Sequence, residues 1–147
     1  MLVLPHVATG AAIGALVGDP FIVVPVAVAS HFVLDSIPHW QETMAPYHPT
    51  WKTYLRIPID IGLAVALVIY AVHVQPGNLP AILLGALFAS IPDLDVITVK
   101  LPALQKGLVK RYWDWHCRIQ REVSSVWGVM TQCIVLAICI VSIQTSI

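Results

Sequence analysis

The chain has 147 residues, of which 58% are hydrophobic and 11% are charged, and its mean hydropathy is +0.81. A soluble domain is usually about 45–50% apolar and about 25% charged, so this composition predicts an integral membrane protein. The formal net charge is zero, which argues against a nucleic-acid partner. A removed signal peptide is not expected, because the start of the chain lacks a basic region and a small-residue cleavage site. The cysteines follow no pairing pattern and are expected to be reduced thiols: Cys117, Cys133 and Cys139.

Five apolar segments are predicted to form membrane helices, at about 4–18, 20–37, 57–75, 79–97 and 123–146. Stretches rich in glycine and proline separate them, such as GDP at 18–20 and QPGNLP at 75–80. A helix needs about 20 apolar residues to cross a bilayer. The first segment is shorter than that, so it has to thin the bilayer locally or pack closely against its neighbours. We predict an all-α, polytopic membrane protein, a single domain over residues 1–147 that forms a bundle of about five transmembrane helices.

The basic residues predict the orientation of these helices. All of them lie in two alternate loops, between the second and third segments and between the fourth and fifth: Lys52, Arg56, Lys100, Lys106, Lys110, Arg111, Arg118 and Arg121. Because cytoplasmic loops carry an excess of lysine and arginine, both loops are predicted to be cytoplasmic. The protein is therefore expected to be a multi-pass protein of the plasma (inner) membrane, with its N-terminus inside and its C-terminus outside.

Small residues recur at four-residue spacing on the first helix, at Gly10, Gly14 and Gly18. The fourth helix offers a similar surface at Gly85 and Ala89. Such a stripe lets two membrane helices approach closely. Packing within the bundle is the favoured interpretation, because a helix as short as the first needs close neighbours. Formation of a homo-oligomer through the same stripe is the alternative.

Histidines and aspartates concentrate at one predicted membrane face. Five separate segments bring them to the cytoplasmic side, whereas the opposite side receives only Asp19 and His73. The candidates in chain order are His6, His31, Asp35, His39, Asp60, Asp93, Asp95 and His116. Ionisable residues inside a membrane usually face the interior of a bundle and pair with one another. This asymmetry predicts a functional site at the cytoplasmic leaflet.

A shared metal ion explains the most deeply placed of these residues. His31 and Asp35 are four residues apart and therefore lie on one helix face. Mixed imidazole and carboxylate ligands favour zinc, with manganese or iron as the other candidates. The predicted ligands are His6, His31, Asp35, His39, Asp93 and His116. Simpler roles stay open for three of the candidates: Asp60 can complement a helix start, His6 can anchor at the membrane interface, and His116 can be an ordinary loop histidine.

These motifs resemble a known family. The chain is similar to the small membrane-bound proteins known as predicted metal-dependent hydrolases, the YdjM-like group. The similarity lies in an early histidine, a PDxD element at a helix end and a histidine after a basic loop, and the matching positions are His6, Asp93, Asp95 and His116. Where the family usually reads HRGxTHS, this chain reads HCRIQRE, with Gln120 one turn after His116. The HxxxDxxxH run at 31–39 is also similar to the HxxxD ligand pairs of zinc-dependent phospholipase C.

Together these features predict a metal-dependent hydrolase that acts on a lipid-borne ester or phosphoester, with membrane lipids as its partners. A bound ion would lower the pKa of its water to near neutrality. Asp95 or Asp60 would act as the general base, and Lys110, Arg111 and Arg118 would hold an anionic headgroup at the interface.

Two alternatives to hydrolysis stay open at this point. A small metal or proton transporter needs polar groups along a path to the far side, and the outer halves of these helices are almost wholly apolar. A structural protein whose metal ion joins short helices would leave no coordination position open.

Overall fold

The computed structural model describes residues 1–41, 50–99, 101, 103 and 106–146, and every regular element in this part of the chain is helical. The helices are α1 (Val3–Val17), α2 (Pro20–Ser36), α3 (Trp51–Val74), α4 (Leu79–Ser90), α5 (Val96–Val99), α6 (Gly107–Ile119) and α7 (Ser125–Thr145). Short 3-10 turns precede and follow α4, at Pro76–Asn78 and Ile91–Asp95. The predicted all-α fold is thus confirmed for the described residues.

Within the described residues, three stretches are long and apolar enough to cross a membrane: Trp51–Val74, Pro76–Thr98 and Ser125–Thr145. The other two apolar helices, α1 and α2, have 15 and 17 residues. At about 1.5 Å per residue, a helix as short as α1 falls short of a hydrocarbon core of about 30 Å. Membrane-length helices are therefore present, while the bundle of five spans and its orientation stay predictions.

The sequence GDP makes the tight turn between α1 and α2. Gly18 ends α1 with a φ of 70°, a conformation that glycine adopts without steric cost, and its N–H donates to the Gly14 carbonyl (3.1 Å). Asp19 caps α2 by accepting a hydrogen bond from the Phe21 N–H (2.9 Å). Pro20 occupies the first helical position, where its missing N–H costs nothing. The turn reverses the chain, so that α2 packs alongside α1.

Helix α1 is central, because it contacts α2, α3, α4 and α7. Its closest neighbour is α4: a Cβ atom added to Gly10 would overlap the carbonyl oxygen of Gly85, and one added to Gly14 would overlap that of Ala81. The backbones of α1 and α4 are therefore in direct contact, as small-residue packing predicts. Gly18 does not take part in this packing, because it forms the cap of α1. Self-association through the stripe stays a prediction.

Asp60 fastens α3 to the start of α1. Its carboxylate accepts hydrogen bonds from the N–H groups of Val3 (2.7 Å) and Leu4 (3.2 Å). These N–H groups belong to the first turn of α1, where no intrahelical acceptor exists. Asp60 lies well inside α3 and not in its first turn, because α3 begins before the predicted boundary at 57, at a capping box formed by Thr50 and Thr53. Asp60 therefore acts at a helix start, as one interpretation of the sequence suggests, but the helix is α1 and not its own helix α3.

The connection between the fourth and fifth apolar segments contains α6, a helix that hydropathy alone does not predict. Trp113 and His116 are buried on one side of it, whereas Lys110, Arg111 and Arg118 are exposed. Alternation of buried and charged residues with helical period is the mark of an amphipathic surface helix. A search for uniformly apolar stretches overlooks such a helix, because its mean hydropathy is low.

Backbone hydrogen bonds link the end of α2 to the connection between α6 and α7. The His39 N–H donates to the Arg121 carbonyl (3.0 Å), and the Val123 N–H donates to the His39 carbonyl (3.0 Å). The Arg121 N–H also donates to the Asp35 carbonyl (3.1 Å). Helix α2 ends just before this pairing because Pro38 disfavours helical conformation in the residue that precedes it. The pairing holds the C-terminal end of α6 against the end of α2.

Candidate metal centre

Four residues from three elements place donor atoms around one point at the end of the bundle. His6 on α1, His31 and Asp35 on α2, and Asp93 in the turn after α4 each offer one donor atom, and these atoms all lie within 4.8 Å of one another. We call these four residues the His/Asp group. The side chains of His6, His31 and Asp35 are fully buried, and that of Asp93 is 22% exposed. The group could therefore hold a metal ion, as the sequence predicts.

The distances within the His/Asp group suit a first-row metal ion. His6 Nε2 lies 3.2 Å from Asp35 Oδ1 and 3.9 Å from Asp93 Oδ2. His31 Nε2 lies 3.1 Å from Asp35 Oδ2 and 3.6 Å from Asp93 Oδ1. Metal–ligand bonds of about 2.0–2.2 Å place neighbouring donors of a tetrahedral zinc site roughly 3.3–3.6 Å apart. The observed distances bracket this range, so the donors need only small shifts to coordinate an ion.

His6 is a buried polar side chain whose ring nitrogens have no hydrogen-bond partner among the described residues. Both of its ring nitrogens are buried, and neither finds a donor or acceptor of suitable geometry among the described residues. A buried polar atom left unsatisfied costs about 1–3 kcal/mol. The ring stacks on His31, with centroids 4.0 Å apart and planes 21° from parallel, and this contact fixes its position without satisfying its nitrogens. Coordination of an ion through Nε2 would satisfy one of them.

His31 is oriented towards the group by a backbone carbonyl. Its Nδ1 lies 2.8 Å from the carbonyl oxygen of Ala89 on α4, to which it donates a hydrogen bond. The lone pair is then on Nε2, the nitrogen that faces Asp35 and Asp93. Metal-binding histidines are usually held in this way through their second nitrogen. The sequence gives no sign of the role of Ala89, because a carbonyl is common to every residue.

His116 of α6 lies beside the His/Asp group and is held by Asp95. Its Nδ1 is 2.6 Å from Asp95 Oδ2, and its Nε2 is 2.9 Å from Asp35 Oδ2 and 3.2 Å from His31 Nε2. Burial opposes protonation of His116, but hydrogen bonds to the two carboxylates outweigh it and raise its pKa to about 9. The metal-free protein therefore holds His116 as an imidazolium between Asp35 and Asp95, and this proton is lost if Nε2 binds an ion.

Asp35 is the centre of the polar network. Besides the three histidines, Gln120 donates to Asp35 Oδ2 through Nε2 (2.9 Å), and the amino nitrogen of Met1 lies 2.5 Å from Asp35 Oδ1. Gln120 and Gln41 are themselves hydrogen-bonded (3.1 Å). The position of Gln120, one turn after His116, is the only sequence signal for its part in the site. A single carboxylate thus connects α1, α2 and α6.

His39 lies outside the His/Asp group. Its ring is buried, Nδ1 lies 2.8 Å from the Ile37 carbonyl oxygen, and Nε2 has no hydrogen-bond partner among the described residues. Burial and the positive charge of the Met1 amino group lower the pKa of His39, so it is neutral at physiological pH. Because Pro38 ends α2, His39 does not continue the helical spacing of His31 and Asp35. Its role as a ligand stays a prediction.

The basic residues predicted to bind a headgroup share the exposed side of α6. Lys110 forms an ion pair with Asp114 (2.6 Å), and Arg118 Nε donates to the Asp114 carbonyl (2.9 Å). Arg111 is exposed. Exposed ion pairs contribute little, typically about 0–1 kcal/mol, so Lys110 is readily available to an anionic partner. Headgroup binding by these residues stays a prediction.

A cavity of about 360 Å³ adjoins the His/Asp group, between the start of α1, α3 and the turn after α4. Much of its wall is apolar and includes Leu2, Ile57, Ile61 and Leu94. Asp93 belongs both to this wall and to the His/Asp group. Of the four members of the group, Asp93 lines the cavity, and the other three are fully buried.

The comparisons with known proteins add no assignment to this geometry. No family model, no curated protein sequence and no solved structure matches this chain.

Proposed function

We propose that the protein is a membrane-embedded, metal-dependent hydrolase that cleaves a lipid-borne ester or phosphoester at the cytoplasmic leaflet. The observation that carries this proposal is the position of Asp93, which is shared by the His/Asp group and the apolar cavity. An ion held by the group would be catalytic if one of its coordination positions faces the cavity beside Asp93. Catalytic metal sites keep one position open to water or substrate, whereas structural sites are closed by protein ligands.

The donor set fits hydrolytic chemistry. A bound ion would lower the pKa of coordinated water to near neutrality and polarise the scissile carbonyl or phosphoryl group. For proton transfer we favour Asp95, whose carboxylate contacts His116 Nδ1 (2.6 Å), because His116 Nε2 is itself a candidate ligand beside Asp35. The same contact orients His116. The alternative base, Asp60, lines the cavity, but its two oxygens accept hydrogen bonds from the start of α1.

The surroundings of the site favour a lipid as the substrate. An apolar cavity beside membrane-length helices suits an acyl chain, and the exposed basic residues of α6 suit a headgroup phosphate. All eight basic residues of the chain, those of α6 included, motivate the cytoplasmic orientation of this end and the five-span arrangement. One of the eight, Lys100, lies outside the described residues. The resemblance to the YdjM-like group points in the same direction, since His6, Asp93, Asp95 and His116 all lie at this site.

A structural metal site is the second candidate. The His/Asp group joins α1, α2 and the turn after α4, and His116 adds α6, so one ion could hold together several short elements. Transport is not proposed, because residues buried towards the far end of the bundle are apolar, among them Ala15, Ala71 and Ile143. Enzyme and structural site use the same ligands and differ in whether the bound ion turns over a substrate.

The test is hydrolysis by protein purified in detergent without metal-affinity resin and loaded with Zn²⁺. Phospholipids that carry carboxylic ester and phosphodiester bonds are presented in mixed micelles, and the products are identified by mass spectrometry. We expect hydrolysis that a chelator abolishes. Asp93→Asn should reduce the rate by more than the factor of about 10–100 typical of residues outside the coordination shell.

Asp19→Asn is the matched control for Asp93→Asn, because Asp19 only caps α2 at the other end of the bundle and asparagine is an equally good cap. This control should hydrolyse the lipid as the unchanged protein does. A protein that binds zinc and is stabilised by it, but cleaves neither type of bond, would contradict the hydrolase and favour the structural site.

A further inference from the structure

We infer that the His/Asp group binds two metal ions, bridged by Asp35 and Asp93. The meaning of the pair for catalysis rests on the proposed hydrolase function. The number of bound ions is nevertheless measurable without any assay of hydrolysis.

Both carboxylates divide their oxygens between the two histidines. Asp35 presents Oδ1 to His6 Nε2 (3.2 Å) and Oδ2 to His31 Nε2 (3.1 Å). Asp93 presents Oδ2 to His6 Nε2 (3.9 Å) and Oδ1 to His31 Nε2 (3.6 Å). A single ion would use only one donor atom from each of these residues. When both oxygens of each carboxylate are counted, the donors form two sets, each made of one imidazole nitrogen and one oxygen from each carboxylate, as in a carboxylate-bridged pair.

The stacked imidazoles set the spacing between the two positions. The rings of His6 and His31 are nearly parallel, with centroids 4.0 Å apart, and the Nε2 of each faces the same two carboxylates. Ions bound to these nitrogens would therefore be separated by about the distance between the rings. Paired metal ions in hydrolytic enzymes lie about 3.5–4 Å apart.

The two positions differ in their protein donors. The His31 position has a fourth donor, His116 Nε2, which lies 3.2 Å from His31 Nε2 and 2.9 Å from Asp35 Oδ2. The His6 position has three donors among the described residues, and an ion there would replace the Met1 amino group as the positive charge beside Asp35 Oδ1. Since four protein ligands close a site and three leave it open, we assign tight binding to the His31 position and the open position to the His6 side.

The experiment counts bound manganese in the full chain. Protein purified without metal-affinity resin is stripped with a chelator and dialysed against saturating Mn²⁺, and the metal is measured per chain. Electron paramagnetic resonance then distinguishes an exchange-coupled pair from isolated ions. We expect two Mn²⁺ per chain with a coupled spectrum. In His6→Asn we expect one Mn²⁺ with the spectrum of an isolated ion.

The matched control for His6→Asn is His73→Asn. His73 is exposed in the last turn of α3, at the end of the bundle away from the His/Asp group. This control should keep two coupled ions. Should His6→Asn fail to fold, His116→Asn provides a second variant. It removes one donor from the His31 position, so one of the two ions should bind more weakly while saturation still gives two.

The outcomes separate this inference from the proposed function. A single ion per chain at saturation overturns the pair, even if the protein hydrolyses lipid. Two coupled ions in a protein that hydrolyses nothing overturn the hydrolase and leave the pair. A protein that binds neither manganese nor zinc overturns both.

Discussion

At the scale of single residues, Asp35 organises the site. A charged group that is buried without partners is costly, because it loses its hydration. Both oxygens of Asp35 meet nitrogen atoms, Oδ1 those of Met1 and His6, and Oδ2 those of His31, His116 and Gln120. A buried polar network is stabilising when every member is satisfied and costly when one is lost. Substitutions at Asp35 therefore affect the whole site.

We expect the purified protein to retain a first-row transition metal, and Asp35→Asn to lower its metal content and its thermal stability together. Removing one partner of a buried charged pair costs about 3–5 kcal/mol, because the remaining groups stay buried without compensation. Elemental analysis and thermal unfolding of both proteins, with and without a chelator, provide the measurement. If the purified protein contained no metal and were equally stable with and without the chelator, the site would be a polar network and not a metal centre.

The carboxylate of Asp95 orients His116, so Asp95→Asn should weaken metal binding without removing a ligand. Residues that orient metal-binding histidines typically contribute a factor of about 10–100 to metal affinity. Competition with a chromophoric chelator measures the change in dissociation constant. Asp114→Asn on the exposed side of the same helix is the control. Equal affinities in the two variants would show that Asp95 does not hold His116 for metal binding.

At the scale of helices, hydropathy predicts five apolar segments, and each corresponds to a helical part of the structure. The segment boundaries predicted from hydropathy are less accurate. For example, α3 starts at a polar capping box before the predicted boundary at residue 57. Helix α6 is not predicted, since its stability comes from the buried face of Trp113 and His116 and not from uniform apolarity.

In the candidate site, too, some features can be predicted from the sequence and others depend on how the helices pack. Residue type and spacing identify His31, Asp35, His6 and Asp93, because ionisable residues within or beside apolar segments require an explanation. The contact of His31 with the Ala89 carbonyl and the cap that Asp60 gives to α1 depend on how helices pack. Local sequence carries no information on such contacts.

The contact between α1 and α4 gives a prediction about packing. Gly14→Ala should destabilise the protein, because its Cβ would overlap the backbone of Ala81 and force the helices apart. Overpacking of this kind typically costs about 1–3 kcal/mol. Gly62→Ala is the control, since a Cβ there meets nothing within 4 Å and alanine favours the helix. Thermal unfolding in detergent compares the two, and an unchanged melting temperature for Gly14→Ala would contradict the close backbone contact.

At the scale of the whole molecule, the two ends of the bundle differ in chemistry. The described basic residues lie near the start of α3 or on and around α6, at the end that carries the His/Asp group. The opposite end is formed by the turns around Gly18 and Pro76–Asn78, joined by a hydrogen bond from Asn78 to the Ala15 carbonyl (2.8 Å). This difference predicts that the basic end faces the cytoplasm.

Accessibility of single cysteines to a membrane-impermeant reagent tests that orientation. In a background with the three native cysteines replaced, Gly77→Cys should be labelled from outside and Lys106→Cys only after the membrane is opened. Gly77 is suitable because a Cβ atom added there meets nothing within 4 Å, and Lys106 is exposed at the start of α6. If Gly77→Cys were labelled only from the cytoplasmic side, the predicted orientation would be wrong and the site would lie at the outer leaflet.

The distribution of the donors along the chain has a consequence for biogenesis. His6 belongs to the first helix, Asp93 follows the fourth, and His116 comes later still. Contacts between groups so far apart in sequence form late, because the intervening chain has to be ordered first. A metal ion can therefore meet its complete set of ligands only after most of the protein has left the ribosome. Under metal starvation we expect full-length, inserted chains whose abundance is set by proteolysis and not by synthesis.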